Sequence, residues 1–163
     1  MRNQCLKNNY QLLKEKGFIA VFDEDLSLEG KISVDTRPPF ELKPVQKKAV
    51  ESILGSKKPV LLHGVTGSGK TEVYLEASQR FVKKGRQVLI LLPEIALTPQ
   101  VAGRFIGRFG EDVCLWHSAL TPRQRSIIWN KVLSGKCKVL VGTRSSLFVP
   151  FQDLALVIVD EEH

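Results

Sequence analysis

Residues 64–71 have the side-chain types and the spacing of a loop that binds phosphate. They read Gly-Val-Thr-Gly-Ser-Gly-Lys-Thr and match the whole pattern G-x-x-x-x-G-K-[ST]. Glycines let backbone N–H groups approach an anion closely, and a helix that starts there directs its first N–H groups at the same point. Lys70 is expected to reach the β- and γ-phosphates of a nucleotide, and the Thr71 hydroxyl to bind Mg²⁺. The predicted phosphate-binding residues are Gly64, Val65, Thr66, Gly67, Ser68, Gly69, Lys70 and Thr71.

The segments on either side of this loop support the same interpretation. An apolar run over residues 60–63 predicts the strand that enters the loop, and the pattern over residues 71–84 predicts the helix that leaves it. The alternative is a glycine-rich turn that matches the pattern by chance. A strand before the loop and a helix after it are the context in which the motif is meaningful.

A cluster of acidic side chains follows the apolar run at residues 156–159. In an open α/β sheet, the carboxyl ends of the strands are where site residues gather. In phosphate-loop ATPases an aspartate at this place holds Mg²⁺ across from the loop threonine, and the next residue can orient or deprotonate the attacking water. Asp160 and Glu161 are therefore candidate metal-binding and catalytic residues beside Lys70. The alternative is a solvated acidic strand end.

The elements that must position these residues alternate between helix and strand after residue 40. The patterns predict helices over 45–54, 71–84, 98–109 and 122–133, and further strands over 87–92, 113–116, 138–142 and 154–159. Strands that are apolar throughout and separated by helices indicate a parallel sheet covered on both faces. The predicted fold class is therefore α/β.

Residues 1–39 are predicted to be a separate small unit. A helix over 1–16 and two short strands over 18–22 and 31–34 resemble the end of a winged-helix module, but a segment this short cannot bury its own core. Consecutive prolines at 38 and 39 indicate a linker. We therefore expect a winged-helix remnant over 1–39 and an α/β lobe over 40–163. Because the chain stops directly after an acidic cluster, it is expected to be a fragment.

Charge and composition narrow the class of partner. The 24 basic and 17 acidic side chains give a formal net charge of +7, which favours an anionic partner such as a nucleotide or nucleic acid over a neutral one. A solvated basic surface is the alternative, and it is the simplest interpretation of Arg104, Arg108, Arg123, Arg125 and Lys131. No apolar run approaches the roughly 18 residues of a membrane span, so no membrane partner is expected.

The three cysteines, Cys5, Cys114 and Cys137, are far apart and lack C-x-x-C spacing. They are expected to be reduced thiols of a cytoplasmic protein, and neither a zinc site nor a disulfide framework is expected.

Several longer stretches resemble one family of DNA motor proteins. Residues 160–163, Asp-Glu-Glu-His, resemble motif II of superfamily 2 helicases and translocases. Residues 92–100 and 142–151 resemble motifs Ia and Ib of the bacterial replication-restart helicase family, primosomal protein N′. Residues 64–74 and the Trp-His-Ser sequence at 116–118 resemble that family as well. The resemblance covers about residues 42–163, and residues 1–39 fit it less sharply.

This resemblance implies a RecA-like lobe of an ATP-dependent 3′–5′ DNA helicase that assembles the primosome at stalled replication forks. It implies ATP and Mg²⁺ as cofactors, with Gln46 reading adenine, although Val45 departs from the more acidic residue usual in the family. His163 would couple the nucleotide state to the DNA surface. The residues that would contact the backbone of single-stranded DNA are Thr98, Thr143, Arg144 and Ser145.

The implied partners are single-stranded or forked DNA, primosome proteins and single-strand-binding protein. The implied state is a monomer in the cytoplasm, associated with the nucleoid. In this family a second lobe after motif II supplies arginine fingers, so the alternative function for the chain alone is a nucleotide-binding module with little catalysis. A small-molecule kinase is disfavoured, because the stretch around Arg144 would have no role in it. Trp116 and Trp129 could stack on bases, but core packing is favoured for Trp129.

Overall fold

A computed structural model describes residues 41–65 and 67–160 of the chain. This part contains four helices and four strands, which alternate between residues 70 and 142, and three short 3₁₀ segments at Glu94–Ala96, Gly110–Asp112 and Arg144–Phe148. The four helices are α1 (Pro44–Gly55), α2 (Lys70–Val82), α3 (Pro99–Phe109) and α4 (Pro122–Leu133). The four strands are β1 (Gln87–Leu91), β2 (Val113–Trp116), β3 (Val139–Gly142) and β4 (Leu154–Val159).

The four strands form one parallel sheet in the order β2-β3-β1-β4. At its carboxyl edge, Leu91 of β1 is in register with Gly142 of β3 and Val159 of β4. The segments that follow β1, β3 and β4 therefore leave the sheet side by side. The predicted α/β class with a parallel sheet is confirmed.

Helices cover both faces of this sheet. Val88 and Ile90 of β1 are fully buried in a cluster with Phe105 of α3, whereas Leu89 belongs to the opposite cluster with Val132 of α4. Successive side chains of a strand point to opposite faces, so β1 serves both clusters with a continuous apolar run over residues 88–91, after the buried amide of Gln87. Burial of each large side chain contributes about 1.5–3 kcal/mol to stability.

Local sequence signals set where two of the helices begin. The Thr98 hydroxyl accepts a hydrogen bond from the Val101 N–H at 3.3 Å and caps α3. The Thr121 hydroxyl accepts from the Gln124 N–H at 3.2 Å, and the Gln124 side chain accepts from the Thr121 N–H at 2.9 Å. Each cap is followed by a proline, whose missing N–H costs nothing at the first helical position.

The predicted strand over residues 60–63 is wrong. These residues pair with no described strand, and Leu61 is 90% exposed. Among the described residues β4 pairs with β1 alone, and its Val157 and Val159 remain about half exposed. A strand exists only where its backbone groups find partners, and an apolar run carries no information about the partner.

Some predictions fall on parts of the chain that are not described. The winged-helix remnant and linker over residues 1–39 lie outside the described residues, and the division of the chain at residue 39 stays a prediction. Thr66, Glu161 and His163 also lie outside them. No described helix is both long enough and apolar enough to cross a membrane.

Candidate nucleotide and nucleic-acid site

The lysine of the phosphate loop binds the described part of that loop, residues 64–65 and 67–71. Lys70 is the first residue of α2, and its ammonium donates to the carbonyl oxygens of Gly64 at 2.8 Å and Val65 at 3.3 Å. The Ser68 N–H donates to the Val65 carbonyl at 3.1 Å. The positive charge therefore lies within the curve of the loop, at the N-terminus of a helix. This is where both the helix dipole and its unpaired N–H groups favour an anion.

The loop geometry depends on residues without a side chain. Gly69 has φ of +86°, and a Cβ there would overlap the Gln46 amide. A Cβ at Gly64 would lie 2.7 Å from the Ser68 hydroxyl oxygen. The left-handed backbone at Gly69 strongly favours glycine, whereas the neighbour at Gly64 is the end of a serine side chain that can rotate away. The Lys70 ammonium at the N-terminus of α2 fits the phosphates of a nucleotide.

Gln46 lies beside the loop, on the first turn of α1. Its amide nitrogen donates to the Ser68 carbonyl at 3.2 Å, and its amide oxygen accepts from the Lys43 N–H at 2.8 Å. The second bond caps α1, and the first joins that helix to the phosphate loop. Gln46 is therefore close enough to the loop to meet a bound nucleotide, and its role as the adenine reader stays a prediction.

Asp160 follows β4 and faces the helix that begins at the loop. Its N–H donates to the Leu91 carbonyl at 3.0 Å, which holds its backbone against β1. The buried Tyr74 of α2 donates from its hydroxyl to Asp160 Oδ1 at 2.6 Å. The phosphate-loop pattern does not include Tyr74. The available signal was its spacing of three residues from Thr71, which places both side chains on one side of α2.

Thr71 and Asp160 carry the kind of ligand atoms that Mg²⁺ requires. The Thr71 hydroxyl is on the first turn of α2, and the Asp160 carboxylate is tied to the same helix through Tyr74. Magnesium is usually bound by one or two protein oxygens together with phosphate oxygens and water, so these two oxygen ligands fit a Mg-nucleotide. Glu161, the predicted catalytic neighbour, lies outside the described residues.

The predicted DNA contacts lie along the same carboxyl edge of the sheet. Thr98 is an exposed N-cap after β1, and Thr143, Arg144 and Ser145 follow β3, the strand next to β1. The Thr143 N–H donates to the Trp116 carbonyl at 3.1 Å. The nucleotide residues are at the β4 end of this edge, and the candidate DNA residues are at its β1–β3 part.

Neither tryptophan has the predicted environment. Trp116 is only 6% exposed, with its indole N–H donating to the Ser145 hydroxyl at 3.0 Å and the Arg125 guanidinium 5.9 Å from its ring centre. Its ring is not accessible for base stacking. The core packing predicted for Trp129 is also wrong, because Ile128 and Val132 take the core face of α4 and leave Trp129 39% exposed.

Two of the basic side chains interpreted as a solvated surface are instead ion-paired. Arg104 of α3 pairs with Glu72 of α2, and Arg108 pairs with Glu76 of α2 at 2.8 Å. All four are partly buried. These pairs join the helix that starts at the phosphate loop to the helix capped by Thr98, and they remove two charges from the set available to an anionic partner.

Comparisons with known proteins agree with this geometry. Residues 43–163 match the DEAD/DEAH box helicase family. "Replication restart protein PriA" of Rickettsia prowazekii (strain Madrid E) is 53% identical over 118 residues, covering 72% of this chain and 18% of that protein. The protein of the same name from Synechocystis sp. (strain ATCC 27184 / PCC 6803 / Kazusa) is 43% identical over 162 residues, covering 98% of this chain and 20% of that protein.

One solved structure is also similar, "Structure of RecG bound to three-way DNA junction". Its TM-score is 0.67 at 33% sequence identity, and the match covers 77% of this chain and 19% of that chain. The predicted RecA-like lobe is confirmed by this likeness and by the family match. The chain spans about a fifth of the length of the relatives it matches.

Proposed function

Because the chain belongs to the DEAD/DEAH box helicase family, we propose that it is the nucleotide-binding lobe of an ATP-dependent DNA helicase of replication restart. The identities of 53% and 43% to replication restart proteins support that process. The family supports use of a nucleotide and a metal ion, and ATP with Mg²⁺ is our proposal for them. A 3′–5′ direction of movement belongs to the same proposal and rests on the family resemblance as a whole.

The observation that carries this proposal is the hydrogen bond between Asp160 and Tyr74 of α2, the helix that begins at the phosphate loop. Lys70 and the first N–H groups of α2 would hold the β- and γ-phosphates, and Thr71 and Asp160 would hold the cation. Bound Mg-ATP supplies a phosphoryl group open to in-line attack by water. Glu161 would orient that water, since it directly follows Asp160.

Adenine recognition is assigned to Gln46. A side-chain amide offers a donor and an acceptor to the N6/N7 edge of adenine. Its contact with the Ser68 carbonyl puts this amide at the loop, and reading a base would require it to exchange that bond. Pairing of the Gln46 amide with this edge of adenine would favour ATP over GTP.

Single-stranded DNA is proposed to lie across the carboxyl edge of the sheet. Thr98, Thr143 and Ser145 present hydroxyl groups there, and Arg144 adds a guanidinium. Such groups contact phosphate oxygens and carry no sequence information. His163, after the metal-binding carboxylate, would couple nucleotide state to this surface. Forked DNA, primosome proteins and single-strand-binding protein remain the proposed partners of the longer protein, which is proposed to act as a monomer in the cytoplasm.

The alternative for the isolated chain is a nucleotide-binding module without turnover of its own. An arginine finger from a second lobe contributes roughly 10³–10⁵ in rate in other phosphate-loop enzymes. We therefore expect the 163-residue chain to bind nucleotide and yet hydrolyse it near background. In that case helicase activity belongs to a longer protein that contains this lobe.

The experiment compares this chain with a longer protein that adds a second lobe. We expect DNA-stimulated ATP hydrolysis and unwinding from the longer protein alone, and Glu161→Gln in it should abolish hydrolysis while sparing ATP binding. A longer protein with neither activity would contradict the helicase assignment. Robust DNA-stimulated hydrolysis by the chain alone would instead show that its site is completed another way, such as by self-association.

A further inference from the structure

Tyr74 is a buried side chain of the nucleotide site that the phosphate-loop pattern does not include. It is 7% exposed, and its hydroxyl donates to Asp160 Oδ1 at 2.6 Å. A bond this short from a hydroxyl to a carboxylate is of the charge-assisted kind, which is about twice as strong as a neutral one. The bond joins α2, the helix that begins at Lys70, to the residue after β4.

The orientation of the Asp160 carboxylate is constrained from two directions. Its backbone N–H is held by the Leu91 carbonyl at 3.0 Å, and its Oδ1 is held by Tyr74. A carboxylate has two oxygens, so this arrangement leaves Oδ2 for a cation or for water bound to it. Without the phenol hydroxyl, the half-buried carboxylate could rotate about its side-chain bonds.

The helix α2 carries both Tyr74 and the predicted magnesium ligand Thr71. Thr71 and Tyr74 are three residues apart, so they project from the same side of the helix. One rigid element thus carries the hydroxyl expected to bind Mg²⁺ and the hydroxyl that holds Asp160. A shift of α2 would move both together and would preserve their relation to each other.

We infer that Tyr74 is a positioning residue for magnesium: through its hydrogen bond to Asp160 Oδ1, it holds the carboxylate ready to bind the cation with Thr71. This inference rests on the proposed function, because it assumes that a Mg-nucleotide binds here. Tyr74 itself does not touch the cation. Partners that orient a metal ligand in this way typically contribute about 10–100-fold to metal affinity.

The test uses Tyr74→Phe in the 163-residue chain, which removes the hydroxyl and keeps the buried ring. Binding of a fluorescent ATP analogue is titrated with Mg²⁺ and, separately, in EDTA. We expect the Mg²⁺ concentration at half-effect to rise roughly tenfold in the variant. Affinity for the analogue in EDTA should match that of the wild type, because the phosphate loop is unchanged.

A double-mutant cycle with Asp160→Asn shows whether the effect passes through Asp160. In that background Tyr74→Phe should cause no further change in Mg²⁺ dependence. Electron paramagnetic resonance of Mn²⁺ bound with the nucleotide gives a second readout, and its binding should weaken in parallel. An equal loss of affinity in EDTA would mean that Tyr74 only holds α2 against the sheet, and would overturn the inference.

Other outcomes separate this inference from the function on which it rests. An unchanged Mg²⁺ dependence in Tyr74→Phe would overturn the positioning role while leaving the nucleotide site intact. If the wild type binds the analogue no better than Lys70→Ala does, the nucleotide assignment itself fails, and the role of Tyr74 fails with it.

Discussion

The indole N–H of Trp116 donates to the hydroxyl of Ser145 at 3.0 Å and joins the end of β2 to the 3₁₀ segment after β3. The Ser145 oxygen also lies 3.2 Å from the Thr143 hydroxyl. Trp116 therefore helps to hold the segment that is proposed to contact DNA. Because its side chain is buried, it is a structural residue and not a surface on which bases could stack.

Removing the donor of this bond should loosen the segment at a small cost in stability. Trp116→Phe keeps an aromatic ring in the core but loses the N–H, and we expect the free energy of unfolding to fall by about 1 kcal/mol. Urea unfolding followed by circular dichroism measures this change. The matched control is Trp129→Phe on the 39% exposed side chain, which should change stability by less than about 0.5 kcal/mol. Equal effects of both variants would contradict the structural role of Trp116.

Gln87 is a buried amide whose loss should be far more damaging. Its nitrogen donates to the carbonyls of Val132 at 2.9 Å and Cys137 at 2.8 Å, and its oxygen accepts from the N–H groups of Gln152 at 2.8 Å and Asp153 at 3.0 Å. A leucine here would leave those four backbone groups without this partner. Because a buried polar group without its partner costs about 1–3 kcal/mol, we expect a loss of about 3 kcal/mol or more in unfolding free energy.

The control for Gln87→Leu is Gln100→Leu, on an exposed residue of α3, measured by the same denaturant titration. That variant should stay within about 0.5 kcal/mol of the wild type. A small loss in Gln87→Leu would show that the backbone groups around it can find other partners.

The bounds of several helices and strands were predictable, because local sequence patterns determine them. The Thr98 and Thr121 caps, the prolines after them and the continuous apolar strands place α3, α4, β2 and β4 within a residue of the structure. The 60–63 segment was not predictable in this way, because strand formation depends on a neighbour that no local pattern names. The role of Tyr74 and the Arg104–Glu72 ion pair depend on contacts between α2 and segments distant in sequence. Spacing along one helix shows which residues share a side of it, but it does not show which distant residues they contact.

The DNA proposal predicts a specific effect on salt dependence. Arg144→Ala should weaken binding to single-stranded DNA by a similar factor for all sequences and lower the slope of log affinity against log salt by about one. Fluorescence anisotropy with labelled oligonucleotides at several salt concentrations measures both. Lys136→Ala removes the same charge just before β3, at the opposite edge of the sheet, and should leave the slope nearly unchanged. Equal slopes for the two variants would show that DNA binding depends on the net charge of the protein and not on Arg144 in particular.

Cys114 and Cys137 should react slowly with thiol reagents in the folded protein. Both are buried and free, and the Cys137 thiol donates to the Val139 carbonyl at 3.4 Å. The neighbouring Cys114, together with burial, raises the pKa of the Cys137 thiol. Only the thiolate is a good nucleophile, which slows the reaction of Cys137. The neighbouring Cys137 lowers the pKa of the Cys114 thiol, so for Cys114 it is burial that keeps the reagent away. In a Cys5→Ser variant, we expect a disulfide reagent at pH 8 to label these thiols at the rate of unfolding and rapidly in denaturant. Fast labelling without denaturant would show that this part of the core opens readily.

The same thiol gives a pH dependence of stability. A thiol whose pKa is raised on folding keeps its proton while the unfolded chain loses one near pH 8.5. The unfolded state therefore binds fewer protons there, and unfolding free energy should fall as pH rises above about 8.5. Cys137→Val should make this decline shallower in denaturant titrations between pH 7 and 10. An identical decline in the variant would assign it to other groups.

The most direct measurement is the affinity of the chain for Mg-ATP with and without the Lys70 ammonium. Calorimetry on the wild type, Lys70→Ala and Lys84→Ala compares two variants that each remove one positive charge, at the start of α2 and just beyond its end. A hydrogen bond to a charged group contributes about 1.5–3 kcal/mol, so Lys70→Ala should weaken binding about 10–100-fold. Lys84→Ala should bind like the wild type. Equal affinity of the wild type and Lys70→Ala would contradict the assignment of residues 64–71 as the nucleotide site.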